Sequence, residues 1–259
     1  MKPRHSSLLV LLAAGIALLG TPLPAATRAD SGGITAEQAN AILEELRAIR
    51  ALLEQESGGR KAEVPAPSMP AVVRLPWVER PALGTPDAAV IVIEYTDYAC
   101  PYCQRFHQAT WPVLKRDFVD TGQVRWAVRD LPLPIHPDAR GAAQAAHCAG
   151  EQGRFWEMRS VLFANQSALG REALEKHVVS EGLRPAAFRR CLDSGNHLAA
   201  IDADASDAAQ ARITGTPTFL VGRRKGDYVE GRLIVGAQGS AVFDSAIRLE
   251  LAAASSTSN

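Results

Sequence analysis

The hydrophobic pattern of this chain begins with a basic head and a continuous apolar run from Ser6 to Gly20. Pro22, Pro24 and small residues such as Ala29 follow the run. This is the pattern of a cleavable secretory signal peptide, and the run is shorter than the roughly 20 residues that a membrane span needs. We therefore expect residues 1–29 to direct export, with an uncleaved membrane anchor as the alternative.

Residues 31–57 carry a helical pattern. Thr35 and Gln38 have the spacing of a capping box at its start. Apolar residues then recur at alternating intervals of three and four, with charged residues between them: Ala39, Ile42, Leu46, Ile49 and Leu53. A helix this short is marginal alone. We expect it to be an oligomerisation helix, although docking on the protein's own domain would use the same stripe.

Residues 58–76 have little periodicity and contain four prolines: Pro65, Pro67, Pro70 and Pro76. Proline-rich segments of this kind are extended and semi-rigid. We therefore predict a linker over residues 58–76 that holds the helix away from a folded domain over residues 77–253.

Strand and helix patterns alternate in the domain of residues 77–253. The β-branched run Val90-Ile91-Val92-Ile93 predicts a buried strand, and further strands are predicted at 123–129 and 232–235. A helical region is predicted at about 137–196. The basic segment 222–226 is expected to be a hairpin loop, and residues 242–251 a closing helix before a disordered Ser/Thr-rich tail.

Composition excludes some partners. Lys plus Arg equals Asp plus Glu, 28 each, so the formal net charge is zero. Such a chain shows no sign of binding nucleic acid or an anionic membrane. The four cysteines are an even number, as expected for an exported protein in an oxidising compartment.

Cys100-Pro101-Tyr102-Cys103 follows the predicted strand directly and opens a predicted helix. The free N–H groups and dipole of a helix N-terminus favour a thiolate, and cysteines placed there have pKa values of roughly 3.5–7.5. The spacing lets the second sulfur reach the first. Zinc binding and a plain structural disulfide are the alternatives, but Cys148 and Cys191 form no second CxxC motif. The pattern therefore favours redox chemistry.

The segment EYTDYACPYCQRF resembles the active-site region of the DsbA family of thioredoxin-fold disulfide oxidoreductases. The similarity is to the bacterial branch with a CPYC active site and an N-terminal helix, and it runs from about Gly84 to Leu251. Three further motifs carry it: residues 131–137, residues 152–158 and residues 213–221. The resemblance implies an α/β, thioredoxin-like fold with a helical insertion at about 137–196, in addition to the N-terminal oligomerisation helix.

The resemblance also implies roles for individual residues. Cys100 is the nucleophile and Cys103 its partner in a redox-active disulfide. Glu94 resembles the family's buried carboxylate, which accepts a proton from Cys103; an exposed charge at the sheet edge is the alternative. A cis bond between Thr216 and Pro217 would face the CxxC motif and leave the Thr216 backbone free to bind an extended substrate.

Three more residue predictions accompany these. Tyr102, a further predicted substrate contact, stands where strong oxidases of the family often carry His, so the disulfide is expected to be less oxidising. Cys148 and Cys191 are expected to form a structural disulfide, as in this branch of the family, with two buried free thiols as the alternative. His136 is expected either near the active site or in local hydrogen bonds.

The resemblance implies a periplasmic thiol–disulfide oxidoreductase that forms disulfides in exported proteins. Its partners would be unfolded or misoxidised exported proteins, a membrane redox partner that recycles Cys100 and Cys103, and further copies of the chain. No cofactor and no metal are expected. An oligomeric isomerase or reductase of the same fold is one alternative, and a non-redox periplasmic chaperone is an alternative of another class.

Overall fold

The structure is a computed structural model that describes residues 34–56 and 72–257. The predicted signal peptide, and the predicted linker as far as residue 71, lie outside the described residues. The chain divides into two compact units, residues 1–64 and residues 65–259. No helix among the described residues combines the length and the apolar character needed to cross a bilayer.

In the described residues 34–56, the N-terminal unit forms helix α1 (Ala36–Glu56). The predicted capping box is present: the Gln38 amide donates to Thr35 Oγ1 at 3.2 Å, and the Thr35 amide donates to Gln38 Oε1 at 3.0 Å. The large apolar side chains of the helix are between 48% and 61% exposed: Ile42, Leu43, Leu46, Ile49 and Leu52. The helix therefore presents an apolar stripe, as its sequence pattern predicts.

The second unit contains a six-stranded sheet with the order β1-β6-β5-β3-β4-β2. Its strands are β1 (Val73–Pro76), β2 (Ala82–Leu83), β3 (Val90–Thr96), β4 (Val124–Asp130), β5 (Thr218–Lys225) and β6 (Tyr228–Val235). The central strands β3 and β4 are parallel, and all other neighbours are antiparallel. The predicted strands at 90–93, 123–129 and 232–235 belong to this sheet.

Helices cover both faces of the sheet or form the insertion. They are α2 (Pro101–Ala109), α3 (Trp111–Leu114), a π-helical turn (Lys115–Val119), α4 (Ala139–Gly150), α5 (Phe155–Ala164), α6 (Arg171–Ser180), α7 (Pro185–Ser194), α8 (Leu198–Gln210) and α9 (Ser240–Thr257). The break at Thr110, between α2 and α3, lies two residues before Pro112, where the sequence predicts a kink.

Side chains of β3 point alternately to the two faces of the sheet and belong to two different hydrophobic cores. Val90 and Val92 belong to the larger core, which contains Phe106 of α2, Phe243 of α9 and the apolar residues of the insertion. Ile91, Ile93 and Tyr95 belong to a smaller core, which includes Ala208 of α8. Because successive strand residues point to opposite faces, every second residue of β3 faces the CxxC helix.

Three predicted boundaries were wrong. Strand β1 lies inside the predicted linker range, because β6 pairs Val73 with Gly231 and Leu75 is buried. Strand β5 continues through the predicted basic loop to Lys225, where it pairs with Tyr228 of β6. Helix α9 continues past Leu251 through most of the predicted disordered tail.

Candidate active site

The CxxC turn connects the carboxyl end of β3 to α2. Cys100 is the N-cap residue of α2 in an extended conformation, and Pro101 is the first helical residue, where its missing N–H leaves no hydrogen bond unmade. Asp97 shapes the turn: its side chain accepts from the Ala99 amide at 2.8 Å, and its carbonyl accepts from the Cys100 amide at 3.1 Å. Asp97 therefore caps the turn that leads into the CxxC motif.

The two thiols of the CxxC motif differ strongly. The pKa of Cys100 is lowered to about 5, chiefly by a hydrogen bond from Cys103, with smaller contributions from Thr216 and from the backbone amides of Tyr102 and Cys103. Burial raises the pKa of Cys103 well above its usual value, and the neighbouring Cys100 raises it further. Cys100 is 4% exposed and Cys103 is fully buried. The pair therefore combines a stable thiolate with a protonated donor.

The Thr216–Pro217 peptide bond is cis, as predicted. Its loop lies against Cys100, because the Cys100 thiol is 3.4 Å from the Thr216 carbonyl oxygen in hydrogen-bonding geometry. Thr218, the first residue of β5, is paired with Tyr95 of β3. The central sheet therefore holds the cis-proline loop beside the CxxC turn.

Tyr102 is 57% exposed, between the two cysteines in sequence. The Arg105 guanidinium lies over its ring, 5.1 Å from the centroid. The ring is therefore available at the surface beside Cys100. Its role as a substrate contact stays a prediction.

Asp97 also forms hydrogen bonds that hold the segment after β4 against the CxxC turn. Its Oδ2 atom accepts from the Leu133 amide at 2.8 Å and lies 2.8 Å from Nδ1 of His136. His136 thus makes a local hydrogen bond that is also a direct link to the residue shaping the active-site turn. The two expectations for His136 are therefore compatible.

Glu94 is fully buried, so the alternative of an exposed edge charge was wrong. Its carboxylate accepts from Trp126 Nε1 at 2.8 Å and from Arg159 Nη2 at 2.9 and 3.0 Å. Arg159 is itself fully buried, on α5 of the insertion. The ion pair joins the insertion to the central strand. The proton-transfer role of Glu94 stays a prediction.

Arg159 and Gln166 are site residues that the sequence prediction missed. Gln166 follows α5 and donates to the carbonyls of Tyr98 and Cys100, at 2.7 and 2.9 Å. No local pattern distinguishes these two residues from surface polar residues of a helical segment. Their partners lie about 65 residues away in sequence, so only the fold brings them to the site.

Cys148 of α4 and Cys191 of α7 form the predicted disulfide, with Cα atoms 5.7 Å apart. Among the described residues, one group of His, Cys and acidic side chains has ligand atoms within 4.8 Å of one another: these two cysteines and His197. Because both sulfurs are joined to each other, they are not thiolate ligands in this structure.

Comparison with known proteins agrees with this architecture. The thioredoxin family model matches residues 78–230. The chain is 38% identical over 143 residues to a Na(+)/H(+) antiporter NhaA 3 from Salinispora tropica, covering 55% of this chain and 21% of that protein. It is 28% identical over 153 residues to a putative protein-disulfide oxidoreductase from Rickettsia conorii, covering 56% of this chain and 54% of that protein.

The chain thus spans about a fifth of the antiporter and about half of the Rickettsia protein. Among solved structures, α-DsbA1 from Wolbachia pipientis superposes with a TM-score of 0.63 at 24% identity, over 71% of this chain and 97% of that one. The family-model match over residues 78–230 includes strands β2 to β5, the CxxC turn and the insertion region. This chain belongs to the thioredoxin family, and its fold is similar to that of α-DsbA1.

Proposed function

We propose that this protein is a periplasmic thiol–disulfide oxidoreductase that forms disulfides in exported proteins through Cys100 and Cys103. The observation that carries the proposal is the opposed pair of thiols. Cys100 has a pKa of about 5, and the buried Cys103 has a pKa well above its usual value. An exchange centre needs one sulfur that is stable as a thiolate beside one that is stable as a thiol.

In the proposed reaction, a substrate thiolate attacks Cys100 Sγ of the oxidised enzyme. The Cys100–Cys103 bond breaks, and Cys103 departs with the electron pair and takes up a proton. A second substrate thiolate then attacks the substrate sulfur of the mixed disulfide. This step forms the substrate disulfide and releases Cys100 as a thiolate, so the substrate is oxidised and the enzyme is reduced.

The cis-proline loop supplies the proposed binding site. The Thr216 backbone lies beside Cys100, where an extended peptide could pair with it as an added strand. Tyr102 would pack against the same peptide with its exposed ring. Unfolded or misoxidised exported proteins are the proposed substrates, since only an accessible, extended segment can reach this site.

The direction of exchange depends on how far the Cys100 thiolate is stabilised. A stabilised thiolate favours the reduced enzyme and makes the disulfide a stronger oxidant. After each cycle a membrane redox partner would reoxidise the pair. The second candidate is an oligomeric isomerase or reductase, which the exposed apolar stripe of α1 favours, because self-association through α1 would bring several active sites together.

The test uses Cys100→Ser and Cys103→Ser variants with one substrate protein in two forms, the reduced unfolded form and a misoxidised form that contains wrong disulfides. We expect Cys100→Ser to abolish oxidation of the reduced substrate. With the misoxidised substrate, Cys103→Ser should accumulate mixed disulfides: the Cys100 thiolate attacks a substrate disulfide, one substrate sulfur leaves as a thiolate, and no Cys103 thiol is present to release Cys100. Cys148 and Cys191 stay unchanged in both variants, so the structural disulfide is present throughout.

Full activity of Cys100→Ser would contradict the proposed chemistry. A non-redox chaperone is the remaining class of function. It would prevent aggregation of the substrate equally well after loss of both active-site cysteines, with no disulfide formed.

A further inference from the structure

A group of buried polar side chains lies between the sheet and the helical insertion. Thr96, Tyr98, Asp130 and Arg159 are each at most 1% exposed. Several of their polar atoms have no hydrogen-bond partner within the described ranges 34–56 and 72–257: Thr96 Oγ1, Tyr98 OH, Asp130 Oδ1, and Nε and Nη1 of Arg159. Buried polar groups without partners are rare in folded proteins, and their concentration in one place calls for a physical reason.

Strand geometry brings this group to the face that carries Cys103. Val90 and Val92 of β3 pack in the core with Cys103, so alternation places Thr96 on the same face. Thr96 is the register partner of Asp130 on the parallel strand β4. Both residues therefore stand at the carboxyl end of the central strand pair, where β3 leads into the CxxC turn.

Tyr98 connects this strand end to the thiol. It belongs to the same buried core as Cys103 and packs against Phe163 of α5, with ring centroids 5.1 Å apart. Burial raises the pKa of Tyr98 well above its usual value, and Asp130, Glu94 and Cys103 contribute in the same direction. Tyr98 thus keeps its hydroxyl proton and lies within electrostatic range of both Cys103 and Asp130.

Asp130 connects this buried group to a surface cavity through His147. Its Oδ2 atom lies 2.6 Å from Nε2 of His147 on α4. The His147 ring stacks on that of His197, with centroids 5.1 Å apart. Both histidines line a surface cavity of about 490 Å³ together with Glu151, which lies 2.9 Å from Nε2 of His197.

The charges around His147 favour its protonated form. Burial lowers its pKa, but the hydrogen bond and charge of Asp130 outweigh burial, and the net pKa is raised. Asp204 of α8 acts in the same direction, and Arg80 opposes it. His147 and Asp130 therefore share a proton between the surface cavity and the buried polar group.

Cys103 needs such a supply of protons. When a thiolate attacks Cys100, the departing Cys103 sulfur is fully buried and has a pKa well above its usual value. A sulfur of this kind leaves slowly unless a proton reaches it. Buried water molecules typically bridge polar groups that lack protein partners, making about three hydrogen bonds each. The polar atoms of Thr96, Tyr98 and Asp130 are suitable partners for such waters.

We propose that Thr96, Tyr98 and the Asp130–His147 pair hold a hydrated proton path between Cys103 and the cavity lined by His147 and His197. This inference rests on the proposed exchange chemistry and deepens it. The attacking thiolate forms a bond to Cys100 Sγ, the Cys100–Cys103 bond breaks, and Cys103 takes its proton from the path. His147 is then reprotonated from the cavity. In the reverse reaction the proton leaves Cys103 by the same path.

The test measures reduction of the oxidised full-length protein by excess glutathione, with acid quenching and mass analysis, between pH 5 and 9. The variants are Tyr98→Phe, which removes one hydroxyl, and His147→Gln, at the other end of the path. His177→Gln is the matched control, because His177 lies on insertion helix α6 and its ring contacts the Ala168 carbonyl oxygen at 3.2 Å, away from the proposed path. Absorbance at 240 nm reports the Cys100 thiolate in each variant.

We expect Tyr98→Phe and His147→Gln to slow the first exchange step at least tenfold above pH 7, where solvent protons are scarce, and to leave the Cys100 titration unchanged. His177→Gln should match the wild type. Wild-type rates and pH profiles in both path variants would overturn the inference. It would also be overturned if Glu94→Gln slowed the exchange step while Tyr98→Phe and His147→Gln did not. If the wild-type protein itself exchanged no disulfide, the proposed function would fail instead.

Discussion

At the scale of single residues, the chemistry depends on how Cys100 is solvated. The largest contributions to its pKa come from hydrogen bonds and not from a positively charged side chain: Cys103, Thr216 and two backbone amides lower it, and burial opposes them. Tyr102, which stands between the cysteines, contributes its amide rather than a charge. The nucleophile is therefore activated mainly by its own partner thiol and by the start of α2.

This dependence on Cys103 is testable. We expect the Cys100 thiolate of the reduced protein to titrate with a midpoint near pH 5, followed by absorbance at 240 nm. Cys103→Ala removes the largest contribution and should move the midpoint upward by one unit or more. Tyr102→Phe is the control, since it keeps the backbone amide. An unchanged midpoint in Cys103→Ala would contradict this account of activation.

Because the pKa of Cys100 differs between the folded and unfolded states, the free energy of unfolding of the reduced protein depends on pH. The folded pKa of Cys100 lies below its ordinary value of 9.0, so the folded reduced state binds fewer protons than the unfolded state between about pH 5 and 9. The thiolate therefore stabilises the reduced protein above this range. We expect that stabilisation, relative to Cys100→Ser, to be lost as the pH falls toward 5 in chemical denaturation experiments.

At the scale of elements, close contacts between strands restrict the sequence. Gly222 of β5 and Gly231 of β6 are register partners. A Cβ atom on Gly231 would lie 2.1 Å from the Val221 carbonyl oxygen, and one on Gly222 would lie 2.1 Å from the Glu230 carbonyl oxygen. Because the obstacle is backbone, neither contact can be relieved by a side-chain rotation.

Gly231→Ala should therefore destabilise the protein by about 1–3 kcal/mol or more, as overpacking typically does. Gly141→Ala is the matched control. Gly141 lies inside helix α4, where an added Cβ meets nothing within 4 Å, and alanine there should stabilise by up to ~1 kcal/mol. Urea unfolding measures both. Equal stability of the two variants would show that β5 and β6 are not so closely apposed.

At the scale of the whole molecule, features with a local sequence pattern were predicted, and features that depend on contacts between distant parts of the chain were missed. The strand at Val90–Thr96, the α1 capping box and the CxxC turn have local patterns and were predicted. Strand β1 depends on pairing with β6, some 150 residues later. Arg159 and Gln166 likewise acquire their roles from partners distant in the chain. Such contacts leave no periodic trace in the sequence.

The proposed self-association through α1 would be a property of the whole molecule. Leu46→Glu with Ile49→Glu places charges on the apolar stripe, and Arg47→Glu is the control beside it. We expect the first variant to sediment as a smaller species than the mature protein and the control to keep its size. Identical sedimentation of the stripe variant and the wild type would contradict the proposed oligomerisation.

The central claim is that Cys100 and Cys103 form a disulfide that opens and closes during exchange. The most direct measurement is the equilibrium reduction potential of this pair in glutathione buffers, with the Cys148–Cys191 disulfide as internal reference. We predict a value between about −120 and −230 mV, the range of exchange proteins from strong oxidants to glutaredoxins. A value below about −300 mV, typical of structural disulfides, would contradict the account.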